Sequence, residues 1–433
     1  MIKDLLLLSC RSPFLDDDKI YPPLANLYLQ SAIKRTNPQV NVTVSEDYDS
    51  QDNKRFDGFD AIGVSVMTPQ REEARRLLKT IKGLRPEAKT IVGGPHVKFY
   101  LDDVVNDNWD FIVVGDGERT INRIVEGKAN RLTYDSITPF EFSLWATKPA
   151  RLENGKFLES FSYKLGGKKA TTMMTSRGCP ESCAFCEDAK TAIRRTPFDL
   201  LVEEVSDIKS LGYQAVYIFD DIFALNPKQT EPIARLLKRN DLVYRCNGQA
   251  RVMTKEFMKM LKETGCAEIA FGAESGSQTI LDNVKKRTTV KQNYQFVKWC
   301  KEFEIRCKAF LMIGLPGETA QTITETEEFI QKAELDDFQL AIYYPFKGTQ
   351  IRTDIESGKP IDLSFEREGL GAYGQKGGRT EGIVRTSQLD QADLIYHRNR
   401  LVRIYSPKSH TPGFNNRFFE ASEINYQNWL VPK

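Results

Sequence analysis

The sequence lacks several features that would each have pointed to a class of function. No apolar run in its 433 residues approaches the roughly 18 residues of a membrane span, so no membrane partner is expected. Neither sign of charge prevails: 61 lysines and arginines stand against 59 aspartates and glutamates. There is therefore no basic field for nucleic acid or an anionic lipid surface. Histidine is scarce, His96, His397 and His410 being the three copies. The start, Met1-Ile2-Lys3-Asp4-Leu5-Leu6-Leu7-Leu8, has a short apolar run with no small-residue cleavage site after it, and reads as a first strand. Five of the eight cysteines (Cys10, Cys246, Cys266, Cys300, Cys307) have no ligand spacing and read as small buried apolar residues. That usage argues for a reducing, cytoplasmic compartment and against disulfides. A hydrophobic content of 40% suits buried cores, and the length suggests two or three domains.

The remaining cysteines are clustered in Ser176-Arg177-Gly178-Cys179-Pro180-Glu181-Ser182-Cys183-Ala184-Phe185-Cys186. Three thiolates this close can hold three irons of a cubane iron–sulfur cluster and leave the fourth iron without a protein ligand. An open metal position is what a catalytic site needs. A zinc knuckle would want a second Cys-x2-Cys or a Cys/His pair downstream, and none follows.

Residues 1–128 alternate strands and helices. Strands are expected at Asp4–Ser9, Val40–Ser45, Asp60–Val66, Lys89–Val92 and Asp110–Val114, with a helix at Leu24–Ile33 and an amphipathic one through Ala74, Leu77, Leu78 and Ile81. This implies an open parallel sheet that binds a ligand at the carboxyl ends of its strands. Those ends carry Gly93-Gly94-Pro95-His96 and Gly115-Asp116-Gly117-Glu118, whose glycines would let a bulky ligand approach the backbone. Residues 129–168 lose the periodicity and read as a linker. From 169 to 344 strand and helix alternate again, through strands Ala170–Thr175, Ala215–Phe219, Leu242–Asn247, Ala267–Gly272, Ile305–Ile313 and Phe338–Ile342. Right-handed crossovers then make a partial barrel with its active face at the C-terminal rim. In the tail, 345–433, Gly369–Gly382 reads as a mobile loop or lid, and Ser387–Tyr405 as an amphipathic helix.

The Cys-x3-Cys-x2-Cys spacing, with Phe185 just before the last cysteine, resembles the radical S-adenosylmethionine (SAM) superfamily. Tyr21-Pro22-Pro23-Leu24, Val92-Gly93-Gly94-Pro95-His96, Gly115-Asp116-Gly117-Glu118, Gly314-Leu315-Pro316-Gly317-Glu318 and Pro345-Phe346-Lys347-Gly348-Thr349 are similar to motifs of its cobalamin-binding subclass, over about residues 3–350. The resemblance implies an α/β chain: a Rossmann-like (flavodoxin-like) cobalamin domain, a partial (β/α)6 radical SAM barrel and a short C-terminal helical region. Implied cofactors are a 4Fe–4S cluster on Cys179, Cys183 and Cys186, SAM chelated to the open iron, and cobalamin. SAM would meet Phe185, then Asp220 or Asp221 at its amino group, Glu274 or Ser275 at its ribose, and Ile313, Gly314 and Leu315 at adenine. Cobalamin would meet Pro23, Leu24, Met67, Gly93, Gly94, Pro95, His96, Gly115, Gly117 and Glu118. Gln249, Arg251 and Tyr343 would line the substrate pocket, or Gln249 and Arg251 would pair with a carboxylate.

One departure bears on cobalt. The Asp-x-His-x-x-Gly motif that supplies an axial histidine in many cobalamin proteins is absent, and His96 reads as a ligand-edge contact or turn cap in preference to a cobalt ligand. The activity implied is methyl transfer to an unactivated carbon of a small molecule, with an external flavodoxin- or ferredoxin-type electron donor. A non-methylating cyclisation, rearrangement or oxidation is the alternative within enzymes, and a non-catalytic cobalamin or cluster sensor the alternative outside them. Methylthiotransferase is disfavoured, because that group carries a second N-terminal cluster and Cys10 stands alone there.

Overall fold

The computed structural model describes residues 2–11, 18–47, 53–366 and 382–405. Residues 369–381 of the segment read as a lid, and His410, lie outside the described residues. Among those described, no helix is long and apolar enough to cross a membrane.

The alternating apolar pattern near the N-terminus produces a six-stranded parallel sheet in the order Asn41–Asp47, Asp4–Cys10, Ala61–Ser65, Lys89–Gly93, Phe111–Gly115, Leu132–Asp135. A parallel sheet covered on both faces must bury every side chain of its central strands. Leu5 and Leu7 accordingly pack with Leu27 and Ile33 of helix Leu24–Thr36, while Leu6 and Leu8 pack with Leu77 and Ile81 of helix Arg71–Leu84. The sixth strand comes from the stretch read as linker. Its composition hid it: Leu132-Thr133-Tyr134-Asp135 has no apolar run, and Tyr134 is exposed. Gly115 admits this strand, because a Cβ there would stand 2.2 Å from the Asp135 carbonyl oxygen. The Asp135 carboxylate, fully buried, accepts from the Thr120 amide at 2.8 Å and Arg119 Nε at 3.0 Å.

The second sheet is a curled half barrel of six parallel strands in the order Asp337–Ile342, Arg306–Ile313, Cys266–Glu274, Val243–Gly248, Ala215–Ile218, Lys168–Met173, with Lys164–Leu165 added antiparallel at the far side. Helices Lys255–Glu263 and Ala320–Ala333 start on threonine caps: Thr254 and Thr319 accept from the amides of Phe257 and Thr322. Helix Gln391–Tyr405 closes over the last strand, where Arg398 Nε donates to the Leu340 carbonyl at 3.2 Å.

The segment between the sheets is firmly seated. Arg151 is fully buried; its guanidinium donates to Glu204 Oε1 at 2.7 Å, to Thr171 Oγ1 at 3.2 Å and to the Thr172 carbonyl. Asn154 Nδ2 reaches Gln30 Oε1 at 2.6 Å, and the Ala150 amide donates to the Leu27 carbonyl at 3.1 Å. The two sheets are thus joined through this segment by polar contacts as well as by apolar packing.

Candidate active site

The cysteine loop leaves the first barrel strand and is pinned along its length. At its entry, Asp220 from the end of the neighbouring strand accepts from the Thr175 amide at 2.6 Å, Thr175 Oγ1 at 2.5 Å and Ser176 Oγ at 2.7 Å. Burial pushes the Asp220 carboxyl up to about 6, against these bonds, which pull it down. Asp221 accepts from the Gly178 amide at 2.8 Å. Gly178 has φ +97°, and a Cβ there would stand 2.5 Å from the Ala192 carbonyl oxygen, so the turn requires glycine. Thr191 Oγ1 accepts from the Cys179 amide at 2.8 Å, Glu181 takes Arg251 Nη2 at 2.6 Å, and the Ala184 amide donates to the Val284 carbonyl at 2.8 Å.

These contacts divide the expected residues by what their side chains already hold. Both oxygens of Asp220 are committed to the loop, so it positions the cysteines; Asp221 holds the same loop through Gly178. Arg251 takes the carboxylate option, with Glu181 as its partner. Gln249 is buried with its side-chain oxygen unpartnered, and Tyr343 is buried at the end of the last strand. Ser275 is buried and bonded within the protein: its hydroxyl meets Thr326 Oγ1 at 3.1 Å and accepts from the Ser277 amide at 3.1 Å. Ile313 and Leu315 are buried in the barrel core, and much of the backbone here is already bonded: the Ile313 carbonyl accepts from the Tyr343 amide at 2.8 Å and the Leu315 carbonyl from the Glu318 amide at 3.0 Å. Glu318 clamps that turn, accepting from the Gly314 amide at 3.2 Å and from Thr322 Oγ1 at 2.5 Å.

Glu274 differs from its neighbours. It ends the fourth barrel strand with φ +61°, a left-handed conformation that is uncommon outside glycine. Its carboxylate accepts from Lys286 Nζ at 2.8 Å, and both side chains are buried. Gly272 leaves room for the pair, since a Cβ there would lie 2.1 Å from Glu274 Oε1 and 2.7 Å from Lys286 Nζ. The Lys286 ammonium also faces the cysteines: burial pushes the Cys183 thiol up, and Lys286 pulls it back. Sequence reasoning missed Lys286, because Lys285-Lys286-Arg287 looks like a solvated charge run.

Two family models match the chain: the radical SAM superfamily over residues 173–330 and the B12 binding domain over residues 19–125. The chain thus carries a radical SAM domain and, before it, a B12-binding domain. An uncharacterized methyltransferase of Pyrococcus horikoshii is 27% identical over 365 residues, covering 76% of this chain and 77% of that one. The anaerobic magnesium-protoporphyrin IX monomethyl ester cyclase of Rubrivivax gelatinosus is 25% identical over 364 residues, 78% of this chain and 64% of that one. Among solved structures, the radical SAM methyltransferase TsrM of Kitasatospora setae, with cobalamin and a 4Fe–4S cluster bound, shares the fold at TM-score 0.72 and 15% identity, covering 96% of this chain and 93% of that one.

A cubane takes one thiolate per iron, so it is the cysteine spacing that offers the donor set; among the described residues no three His, Cys, Asp or Glu side chains gather round a single metal ion. All three thiols are free, and burial pushes Cys179 up to about 11 and Cys186 up to about 12. Bound iron is therefore what would keep them as thiolates at neutral pH. For the B12-binding domain the fit is at the open rim. Met67, 48% exposed, stands at the carboxyl edge of the first sheet with exposed Pro95 and Gly115 and half-buried Pro23, Leu24, Gly93 and Gly94. Gly94 is explained by protein, not ligand: a Cβ there would meet the Val66 carbonyl at 2.7 Å. Gly117 and Glu118 are buried, and the Glu118 carboxylate binds Arg177 at 2.5 Å.

His96 is 2% exposed, stacked on Tyr100 at 5.3 Å, with Nε2 facing Asp103 at 3.8 Å. Burial pushes it down to about 4, so it stays neutral at pH 7. It lines a small gap among Arg71, Ala74, Arg75 and Trp109, beneath the helix layer. Electron paramagnetic resonance of bound cob(II)alamin is expected to show no nitrogen superhyperfine coupling. A histidine triplet that disappears in His96→Ala would overturn this placement.

Proposed function

We propose that this radical SAM enzyme is a cobalamin-dependent methyltransferase acting on an unactivated carbon of a small molecule. The supporting observation is the seat of the cysteine loop: Arg177 ties it to Asp116 and Glu118 of the B12-binding domain, and Glu181 ties it to Arg251 of the barrel. A cluster there would stand between the two domains, which is what a substrate served by two cofactors needs. When bound, the cluster supplies the electron that splits SAM, and cobalamin carries the methyl group. Cys179, Cys183 and Cys186 would hold the irons, Glu274 would face the SAM ribose beside Lys286, and the Gly314 turn clamped by Glu318 would stand beside adenine. Met67, Pro95 and Gly115 would carry the corrin.

The methyltransferase among the relatives favours this reading, while the cyclase relative keeps a non-methylating outcome as the second one. Products separate them. With the methyl-accepting substrate present, anaerobic incubation with SAM, reductant and cobalamin, read by mass spectrometry, is expected to give 5′-deoxyadenosine and S-adenosylhomocysteine in about equal amounts, since methyl transfer to carbon consumes one SAM as radical source and one as methyl donor. Deoxyadenosine without S-adenosylhomocysteine, with cobalamin loaded, would transfer the assignment to the cyclase-type chemistry. Neither product would favour a sensor.

A further inference from the structure

The acidic side chains of Gly115-Asp116-Gly117-Glu118 turn toward the barrel. Arg177 Nη1 donates to Asp116 Oδ1 at 3.0 Å and Nη2 to Glu118 Oε1 at 2.5 Å. Arg194 donates to the other oxygen of Asp116. The Arg177 guanidinium also lies over the rings of Tyr28 at 5.3 Å and Phe142 at 5.1 Å, both from the N-terminal side of the chain. Glu118 is 3% exposed, and its second oxygen has no partner. A charged group this buried is held in place by its partner, because losing the partner leaves an uncompensated charge.

The two arginines occupy a particular place. Ser176–Arg177 and Arg194–Arg195 form a short antiparallel pair in which Arg177 is opposite Arg194. That pair is the neck of the loop carrying all three cysteines. The first domain therefore grips the loop where its two ends meet, and Asp116 spans both of them. Plain domain glue would not need both arms at the neck, one of them two residues before Cys179.

We propose that Arg177 is a positioning residue for the cluster and for SAM bound to it. Through Asp116 and Glu118, the B12-binding domain sets the spacing of the loop neck, and so how the three cysteines would be presented to the cluster. The proposal rests on the cluster reading above. Its test uses the full chain, reconstituted anaerobically, as wild type, Arg177→Lys, Glu118→Gln and the double variant. Iron and sulfide are counted, and the resonance of the reduced cluster is titrated with SAM. Lysine keeps the charge without the two-pronged geometry, and glutamine keeps the shape of Glu118 without its charge.

Each single variant is expected to carry wild-type iron, to bind SAM about tenfold more weakly, and to show altered g-values once SAM is bound. The double variant should be no weaker than the worse single, as for two ends of one interaction. Wild-type affinity and spectrum in both singles would overturn the proposal, as would additive losses in the double. Should Arg177→Lys lose its cluster, the shape-preserving Glu118→Gln decides by the same readout. Wild-type protein without iron would remove the cluster reading itself, and the proposal with it.

Discussion

Cys183→Ala is expected to abolish the cluster while leaving the fold in place. Reconstituted wild type should carry about four iron and four sulfide per chain and show visible charge-transfer absorption; the variant should show neither. Cys183 is 8% exposed, and the loop around it is held by backbone and non-cysteine side chains: Asp220 on Thr175, Asp221 on Gly178, Arg251 on Glu181, Val284 on Ala184. Removing one sulfur therefore takes away a ligand without taking away the loop, and circular dichroism should not change. Formation of 5′-deoxyadenosine should vanish with the iron. Wild-type protein that holds only zinc, with no visible absorption, would end the iron–sulfur assignment.

The largest loss of stability is expected at Arg151→Met. Arg151 and Glu204 are each 0% exposed, and the guanidinium donates to Glu204 Oε1 at 2.7 Å. Burial pushes the Glu204 carboxyl up, and Arg151 is what pulls it back. Without the arginine, an unpaired carboxylate stays in the interior, which costs about 3–5 kcal/mol in comparable sites. Chemical denaturation at pH 7 measures it. Arg151→Met with Glu204→Leu should recover most of the loss, because a buried ion pair exchanged for apolar groups of similar size is often neutral. A single variant within about 1 kcal/mol of wild type would show that the pair contributes little.

Arg151 also marks where the sequence stopped being legible. Periodicity located the strands of both sheets to within a residue or two where apolar runs were long, as at Asp4–Cys10 and Arg306–Ile313. Threonine caps set Lys255–Glu263 and Ala320–Ala333. The stretch holding Arg151 was opaque because its seat depends on polar partners far along the chain, and an ion pair across 53 residues leaves no local pattern. The sixth strand, Leu132–Asp135, was hidden for a related reason: it is seated by Gly115 and by the buried Asp135 carboxylate, not by an apolar run of its own. At the site, the cysteine spacing was decisive alone. What it could not give was the division of labour among the strand ends: Asp220 and Asp221 spent on the loop, Ser275 on Thr326, Arg251 on Glu181, and Glu274 on Lys286.

The helix Gln391–Tyr405 has a consequence beyond the catalytic rim. A half barrel, unlike a closed one, leaves its final strand with a row of unpaired amides and carbonyls, a ready template for another chain. Asp337–Ile342 is that strand, and it pairs on one side with Arg306–Ile313 alone. The helix packs across it, and the Arg398 side chain, itself buried, supplies the Leu340 carbonyl with the donor that a neighbouring strand would have offered. The cover described here combines the Arg398 guanidinium with the buried Leu394, Leu401 and Val402 of the same helix. Among the described residues, the helix thus occupies the edge at which a further strand would otherwise pair, and it does so beside the strand's carboxyl end, where the barrel's rim lies.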